Sequence, residues 1–295
     1  PASEVMTKII QDLQEARILL NEDPVKTEGG LSSGNAGESS NFLCYRALRL
    51  NYYAVTGLLA RVCLYAGQRE NAFNYSTEVI KASNNGIFPF VDRSLVNGTA
   101  QDPDRIFSPE VLFALSDSQR GELFEEYFDP SLAPNMVFRM ETDLLEQTIY
   151  GGTGTGGNLD DYRCRSNWIS SGSARYFYKY SDMTESGRIE NTMIPLLRLG
   201  EMYLIAAESQ SNSLANGVSY INTLRKNRGV SNLQTLTTTL LQYEYIREVY
   251  GEGQLFFMYK RMYSSIIRSN SATNNPAPSN AVFVVPLPDT ETENR

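Results

Sequence analysis

Histidine is absent from all 295 residues. Its absence removes the Ser–His and Cys–His nucleophile pairs, the HExxH zinc site and the commonest general base. Only carboxylate or lysine chemistry survives that exclusion. Cysteine occurs three times, at 44, 63 and 164, with no CxxC, so thiolate metal ligation has no spacing to support it. Cys44 and Cys63 fall within one helical pattern, roughly 28 Å apart along a straight helix, which forbids a disulfide between them. All three read as small hydrophobes. Basic charge is scarce too: 26 Lys and Arg against 34 Asp and Glu leave a net charge of −8. This balance argues against nucleic acid or an anionic membrane surface as partner, since both need clustered cations. No apolar run approaches the roughly 20 residues that span a bilayer. No signal peptide precedes the first helical pattern, which is expected either of a cytoplasmic protein or of a sequence that starts after processing or inside a longer chain.

What is present is mostly helical. Val5, Ile9, Leu13, Ala16 and Leu20 form one apolar stripe over residues 4–20. Residues 42–66 carry two apolar seams, which predicts a single helix buried between neighbours and ended by Gly67. A shorter helix restarts near Arg69 and stops at Asn84-Asn85-Gly86. Ala60 and Ala72 give this pair the pattern of a tetratricopeptide-type unit, because small residues there let helices approach closely. Later helices are expected at 196–211, 218–227, 236–250 and 254–267, and an extended segment at 281–288, where prolines oppose a helix. The fold class that follows is mainly α, with tetratricopeptide-like helix pairs and a loop-rich, mixed insertion between them. The expected division is a helical unit at 1–86, an insertion at 87–190, and a second helical unit with an extended tail at 191–295.

The insertion breaks any long period. Residues 111–115 read as a short strand, and 123–128 and 135–150 as short helices. Residues 151–157 are Gly- and Thr-rich, but no clear helix follows them, so a mobile surface loop is expected rather than a phosphate cradle. The three adjacent acid pairs, Glu22-Asp23, Glu125-Glu126 and Asp160-Asp161, are no more than chance gives, and glycosidase chemistry depends on spatial gap rather than adjacency. Sugar binding asks for something else: flat aromatic faces flanked by groups that hydrogen bond to hydroxyls. The insertion offers these as Tyr127, Phe128 and Asp129; Tyr150; Asn158, Asp160 and Tyr162; and Arg165, Asn167 and Trp168. Trp168, the sole tryptophan, reads at least as well as a buried anchor. Tyr176, Tyr178 and Tyr180 alternate as an extended, packed segment.

Four stretches together resemble the SusD/RagB family of outer-membrane glycan-binding lipoproteins. They are LLARVCLYAG at 58–67; IPLLRLGEMYL at 194–204 with Ala207-Glu208 and, beyond, YINTLR at 220–225 and Arg228-Gly229; Glu244, Arg247, Glu248, Gly251-Glu252-Gly253, Phe256 and Lys260-Arg261; and VPLP at 285–288 with Glu291 and Asn294. Gly217, and Met258-Tyr259 before Lys260-Arg261, depart from the family's pattern without putting the fold in doubt. Arg198, Glu201 and Glu208 are expected to clamp adjacent helices, and Glu244, Arg247 and Glu248 to form surface pairs. The resemblance implies a non-enzymatic, cofactor-free protein on the outer face of an outer membrane, lipid-anchored when complete. Such a protein would pass oligosaccharide or polysaccharide to a SusC-like TonB-dependent transporter. It also implies that the signal peptide, lipidated cysteine and first helical unit lie upstream of this sequence, together with part of the glycan site. A plain helical scaffold that grips a peptide is the alternative, and a carboxylate-based glycoside hydrolase a more distant one.

Overall fold

The computed structural model describes residues 2–33, 41–97, 102–151, 154–172, 174–210, 213–267, 275–286 and 288. Helix α1 (Ala2–Leu19) opens it, and the short α2 (Val25–Glu28) follows. The expected helix at 42–66 is shorter than its pattern: α3 runs Tyr52–Tyr65, preceded by single 3-10 turns at Asn41–Leu43 and Arg46–Leu48. Two residues account for the difference. Tyr45 takes a left-handed conformation (φ 46°), which interrupts a helix. Asn51 caps the new start: its Oδ1 accepts from Ala54 N at 2.9 Å and its Nδ2 donates to Leu112 O at 2.8 Å. Cys44 therefore lies outside α3. Cys63 and Cys164 are buried and Cys44 is half-buried.

Gly67 and Gly86, both with positive φ, end α3 and α4 (Arg69–Asn84). The α3–α4 pair packs with α7 (Leu199–Glu208), whose first residues follow directly from a strand. Ala54, Ala60 and Ala72 are fully buried at these contacts. α1 lies across the pair, tied by Arg17 to Glu78 at 2.7 Å. Asp23 fixes α2 to the start of α3, pairing with Arg46 at 2.7 Å and accepting from Tyr52 N at 3.1 Å.

The insertion begins with β1 (Val111–Ser116), then α5 (Arg120–Tyr127), β2 (Arg139–Glu141), a π-helical turn at Leu144–Ile149, α6 (Tyr162–Asn167), β3 (Trp168–Ser171) and β4 (Ala174–Phe177). The strand at 111–115 and the helix at 123–128 are where the sequence puts them. The helix expected at 135–150 is instead a strand followed by a π turn. α6 was not expected; Asp161 starts it by accepting from Arg163 N at 2.9 Å. Of the glycine-rich stretch, 152 and 153 lie outside the described residues. Thr155 is buried and its carbonyl accepts from Arg247 at 2.8 Å, so this part of the stretch is anchored rather than a free surface loop.

β5 (Met193–Arg198) pairs antiparallel with β1, Ala114 opposite Pro195, and β2, β4 and β3 form a second antiparallel sheet in that order. Residues 196–198 are thus strand, not the start of a helix; side chains alternate in burial up to Leu197, and Arg198 is still extended. α8 (Val218–Lys226) closes at Gly229 (φ 73°). α9 (Thr238–Val249) begins at Thr237, whose hydroxyl accepts from Leu240 N, and α10 (Leu255–Met262) stops at left-handed Tyr263. The segment expected to be extended holds one turn, α11 (Asn280–Phe283), because burying Phe283 against Phe256 and Tyr263 favours it. Leu287, Glu291 and Asn294 of the fourth stretch lie outside the described residues.

Architecture is mainly helical with few strands, tetratricopeptide-like pairs carrying a mixed insertion.

Candidate ligand-binding site

The insertion is fastened to the helices by a buried network of charge. Glu248, on α9, accepts from Arg228 at 2.8 Å, Arg198 at 2.9 Å and Arg163 at 3.1 Å. Glu244, one turn earlier, takes Arg163 at 3.0 Å, Arg247 at 3.0 Å and also Arg225. The spacing that suggested surface pairs is inside the protein, because Asp161 and Arg163 from α6 and Glu110 beside β1 converge on the same face of α9. Burial alone would raise Glu244, yet the guanidinium groups around it, Arg163 first, hold it at about 2. Glu248 is likewise held far below the usual carboxylate range against burial, chiefly by Arg228. Lys179, buried on Glu252, is pushed down to about 8 by desolvation and the nearby Arg198. Arg61 with Glu201, and Arg261 with Glu208, clamp α3 and α10 to α7. Arg198 belongs to the end of β5 rather than to a helix, but reaches Glu248 and Glu252 as a clamp would.

On this frame α5 presents aromatic rings outward. Phe124 faces the core, Tyr127 is 40% exposed, and Phe128 ends the helix half-buried. The chain then turns at Asp129, whose carboxyl accepts from Ser131 N at 2.7 Å and is lowered by hydrogen bonds from that serine. It returns so that Phe138 N donates to Tyr127 O at 2.7 Å. This return places Phe138, 61% exposed, beside both earlier rings: 6.2 Å and 48° from Tyr127, 5.6 Å and 36° from Phe128. Behind them Phe128 rests on Phe177 at 5.9 Å and Tyr180 at 5.8 Å, which are buried. The exposed rings are therefore the outer end of a continuous aromatic stack. The Glu126 carboxylate, which raises the Tyr127 hydroxyl through a hydrogen bond, lies at its edge.

The other expected residues lie apart from this cluster. Tyr150 (2% exposed) is in the core beside the Arg247 guanidinium, and desolvation raises its hydroxyl well above the usual range. Trp168 (5% exposed) packs at 5.0 Å from both Phe177 and Tyr250. Neither ring presents a face to solvent; burial of large aromatic surface accounts for both positions. Asn167 is buried, and Tyr162 is half-buried against Val91, Val96 and Phe107. Asn158 and Asp160 are exposed, Asn158 accepting from Asp160 N at 2.8 Å and Asp160 pairing with Arg165 at 2.6 Å. Tyr127, Phe128 and Asp129 are brought together, and Phe138 joins them from beyond the turn. No local pattern in the sequence marks Phe138, because its place beside Tyr127 depends on the turn that follows Asp129.

A concavity runs along the helices. A cavity of about 350 Å³ is bordered by Met6, Val62, Tyr65, Phe257 and Met258, and a more polar one of about 510 Å³ adjoins it through Leu64, Tyr65 and Arg261.

This fold is shared with solved structures. A SusD-like carbohydrate-binding protein from Bacteroides vulgatus superposes with a TM-score of 0.65 at 18% identity, over 99% of this chain and 64% of that one. A laminarin-binding SusD-like protein gives 0.54 at 18%, over 88% and 61%. Surface glycan-binding protein A from Bacteroides thetaiotaomicron, in complex with laminarihexaose, gives 0.64 at 17%, over 100% and 69%. The chain thus spans less than two thirds of the first two. A comparison with curated proteins gives no match. The sequence model of the SusD family matches residues 118–282, more than half of the chain, and takes in both the aromatic cluster and the charged face of α9. With the fold and this match in agreement, the chain is a member of the SusD family.

Proposed function

We propose that the chain holds an oligosaccharide, without making or breaking bonds, on the exposed rings of Tyr127 and Phe138 with Phe128 behind them. The observation that carries the reading is the tilted pair of outward rings braced by a buried aromatic stack. Pyranose rings expose C–H faces that pack on such surfaces, and rings already fixed in place lose little entropy on binding. Asp129 and Glu126 at the edge supply acceptors for hydroxyls. Asn158, Asp160 and Tyr162 are kept as outlying candidates for a longer glycan. In this division of labour residues 1–86 and 191–295 form the frame, and 87–190 recognise. Two relatives are described as binding laminarin or laminarihexaose, which supports a glycan as the ligand class.

We propose further that the complete protein sits at the bacterial surface, lipid-anchored in the outer membrane, and hands glycan to a SusC-like TonB-dependent transporter. Among the described residues no helix is long and apolar enough to cross a membrane. A glycan array probed with the full-length protein tests the reading. Binding that weakens with Tyr127→Ala supports it, and binding indifferent to Tyr127→Ala and Phe138→Ala together defeats it.

The groove that Tyr65 and Phe257 help to line favours a second reading, a scaffold gripping an apolar peptide side chain. Tyr65→Ala and Phe257→Ala separate the two, since they would leave glycan binding intact.

A further inference from the structure

Beside Arg120, at the start of α5, a small cavity of about 10 Å³ is bordered by Asp104, Arg105, Arg120, Lys179, Met183 and Glu190. Three buried polar atoms of these residues have no hydrogen-bond partner among the described residues: Asp104 Oδ1, Arg105 Nε and Arg120 Nε. The rest of each side chain is well used. Asp104 Oδ2 accepts from the backbone N–H and the hydroxyl of Ser108, both at 2.8 Å. Arg120 Nη1 donates to Glu190 O at 2.6 Å and its Nη2 to Asp182 at 3.0 Å. Arg105 Nη1 donates to Pro103 O at 3.4 Å. Asp104 and Arg120 are each 2% exposed, so bulk solvent does not serve these atoms.

Orphaned buried donors and acceptors are rare, because each forfeits its hydration for nothing. One acceptor and two donors around one cavity are the complement of a water molecule, which gives hydrogens to a carboxylate and takes them from N–H groups. A cavity of this size holds about one water. A halide would meet the Asp104 carboxylate as a like charge, and a metal cation would meet two guanidinium groups.

We propose that this cavity binds a single ordered water, which donates to Asp104 Oδ1 and accepts from the Nε–H groups of Arg105 and Arg120. The water joins the 104–105 segment to the first turn of α5, the helix that carries Tyr127. It thereby fixes the base of the aromatic cluster, whether or not that cluster binds glycan.

Crystals of the protein, measured native and after a bromide soak, test this. The expected map has one peak within hydrogen-bonding distance of Asp104 Oδ1 and at least one of the two Nε atoms, without bromine anomalous signal. A bromine signal there would make it an anion site. Direct contact of Asp104 with either arginine, or a map with no density between them, would show that no water is needed. Any of these three results overturns the proposal.

Discussion

Arg228 and Glu110 meet in a two-pronged pair, Nη1 to Oε1 at 2.7 Å and Nη2 to Oε2 at 2.6 Å, across 118 positions of sequence and with neither side chain exposed. The pair joins the end of α8 to the start of β1, and Arg228 also holds Glu248. Arg228→Met leaves two buried carboxylates short of a partner, and is expected to cost about 3–5 kcal/mol. Urea midpoints of the two proteins, compared at neutral pH, read the loss directly.

The same network sets an acid limit. Glu244 and Glu248 lie below their ordinary 4.5 in the folded chain, Glu244 at about 2. Their contribution is complete above the unfolded value and is lost as the pH falls from about 4.5 towards 2, because the unfolded chain then binds protons that the folded one refuses. Stability measured against pH is expected to fall through that window. A flat profile there contradicts the depressed carboxyls.

Lys179 works in the opposite range. Burial lowers it from 10.5 to about 8, so between those values the unfolded chain holds a proton the folded one has given up, and stability rises with pH. Lys179→Met removes that rise. The wild type is expected to gain on the variant from pH 8 upward, in paired denaturation curves.

Gly200 sits where a Cβ would lie 2.1 Å from Glu248 Oε1. Gly200→Ala, a change that favours helices elsewhere, is expected to destabilise by about 1–3 kcal/mol through forced displacement of that carboxylate. Thermal melts settle the sign.

Much of the frame was legible because helix periodicity is local: α4 and α8 follow from apolar spacing and their terminal residues, whereas α1 forms where expected but leaves Val5 and Ile9 of its stripe exposed and buries Ile10 instead. The start of α3 was not, since Asn51 stops the pattern by reaching Leu112, a residue of another element. Nor was the burial of Glu244, Arg247 and Glu248. Charges one turn apart look the same on a wet surface and in a core; what distinguishes them here is Glu110, Asp161 and Arg163 arriving from far along the chain. The site was half legible for the same reason. Tyr127, Phe128 and Asp129 stand together in sequence, whereas Phe138 joins them only through the turn that brings its backbone to Tyr127.

Trp168 and Tyr127 are expected to respond in opposite ways. Trp168→Ala removes a buried ring and should cost about 3–5 kcal/mol of stability, while Tyr127→Ala should leave stability nearly unchanged and weaken glycan binding about tenfold. Melting curves and titration calorimetry on both variants make the comparison.

The central claim is best met by a crystal structure of the protein with a bound oligosaccharide, laminarihexaose being the first to try and the strongest glycan-array ligand the next. The account predicts sugar rings lying against Tyr127 and Phe138, with hydroxyls facing Asp129 or Glu126. Sugar found instead in the groove lined by Tyr65 and Phe257, with the α5 rings untouched, would contradict it.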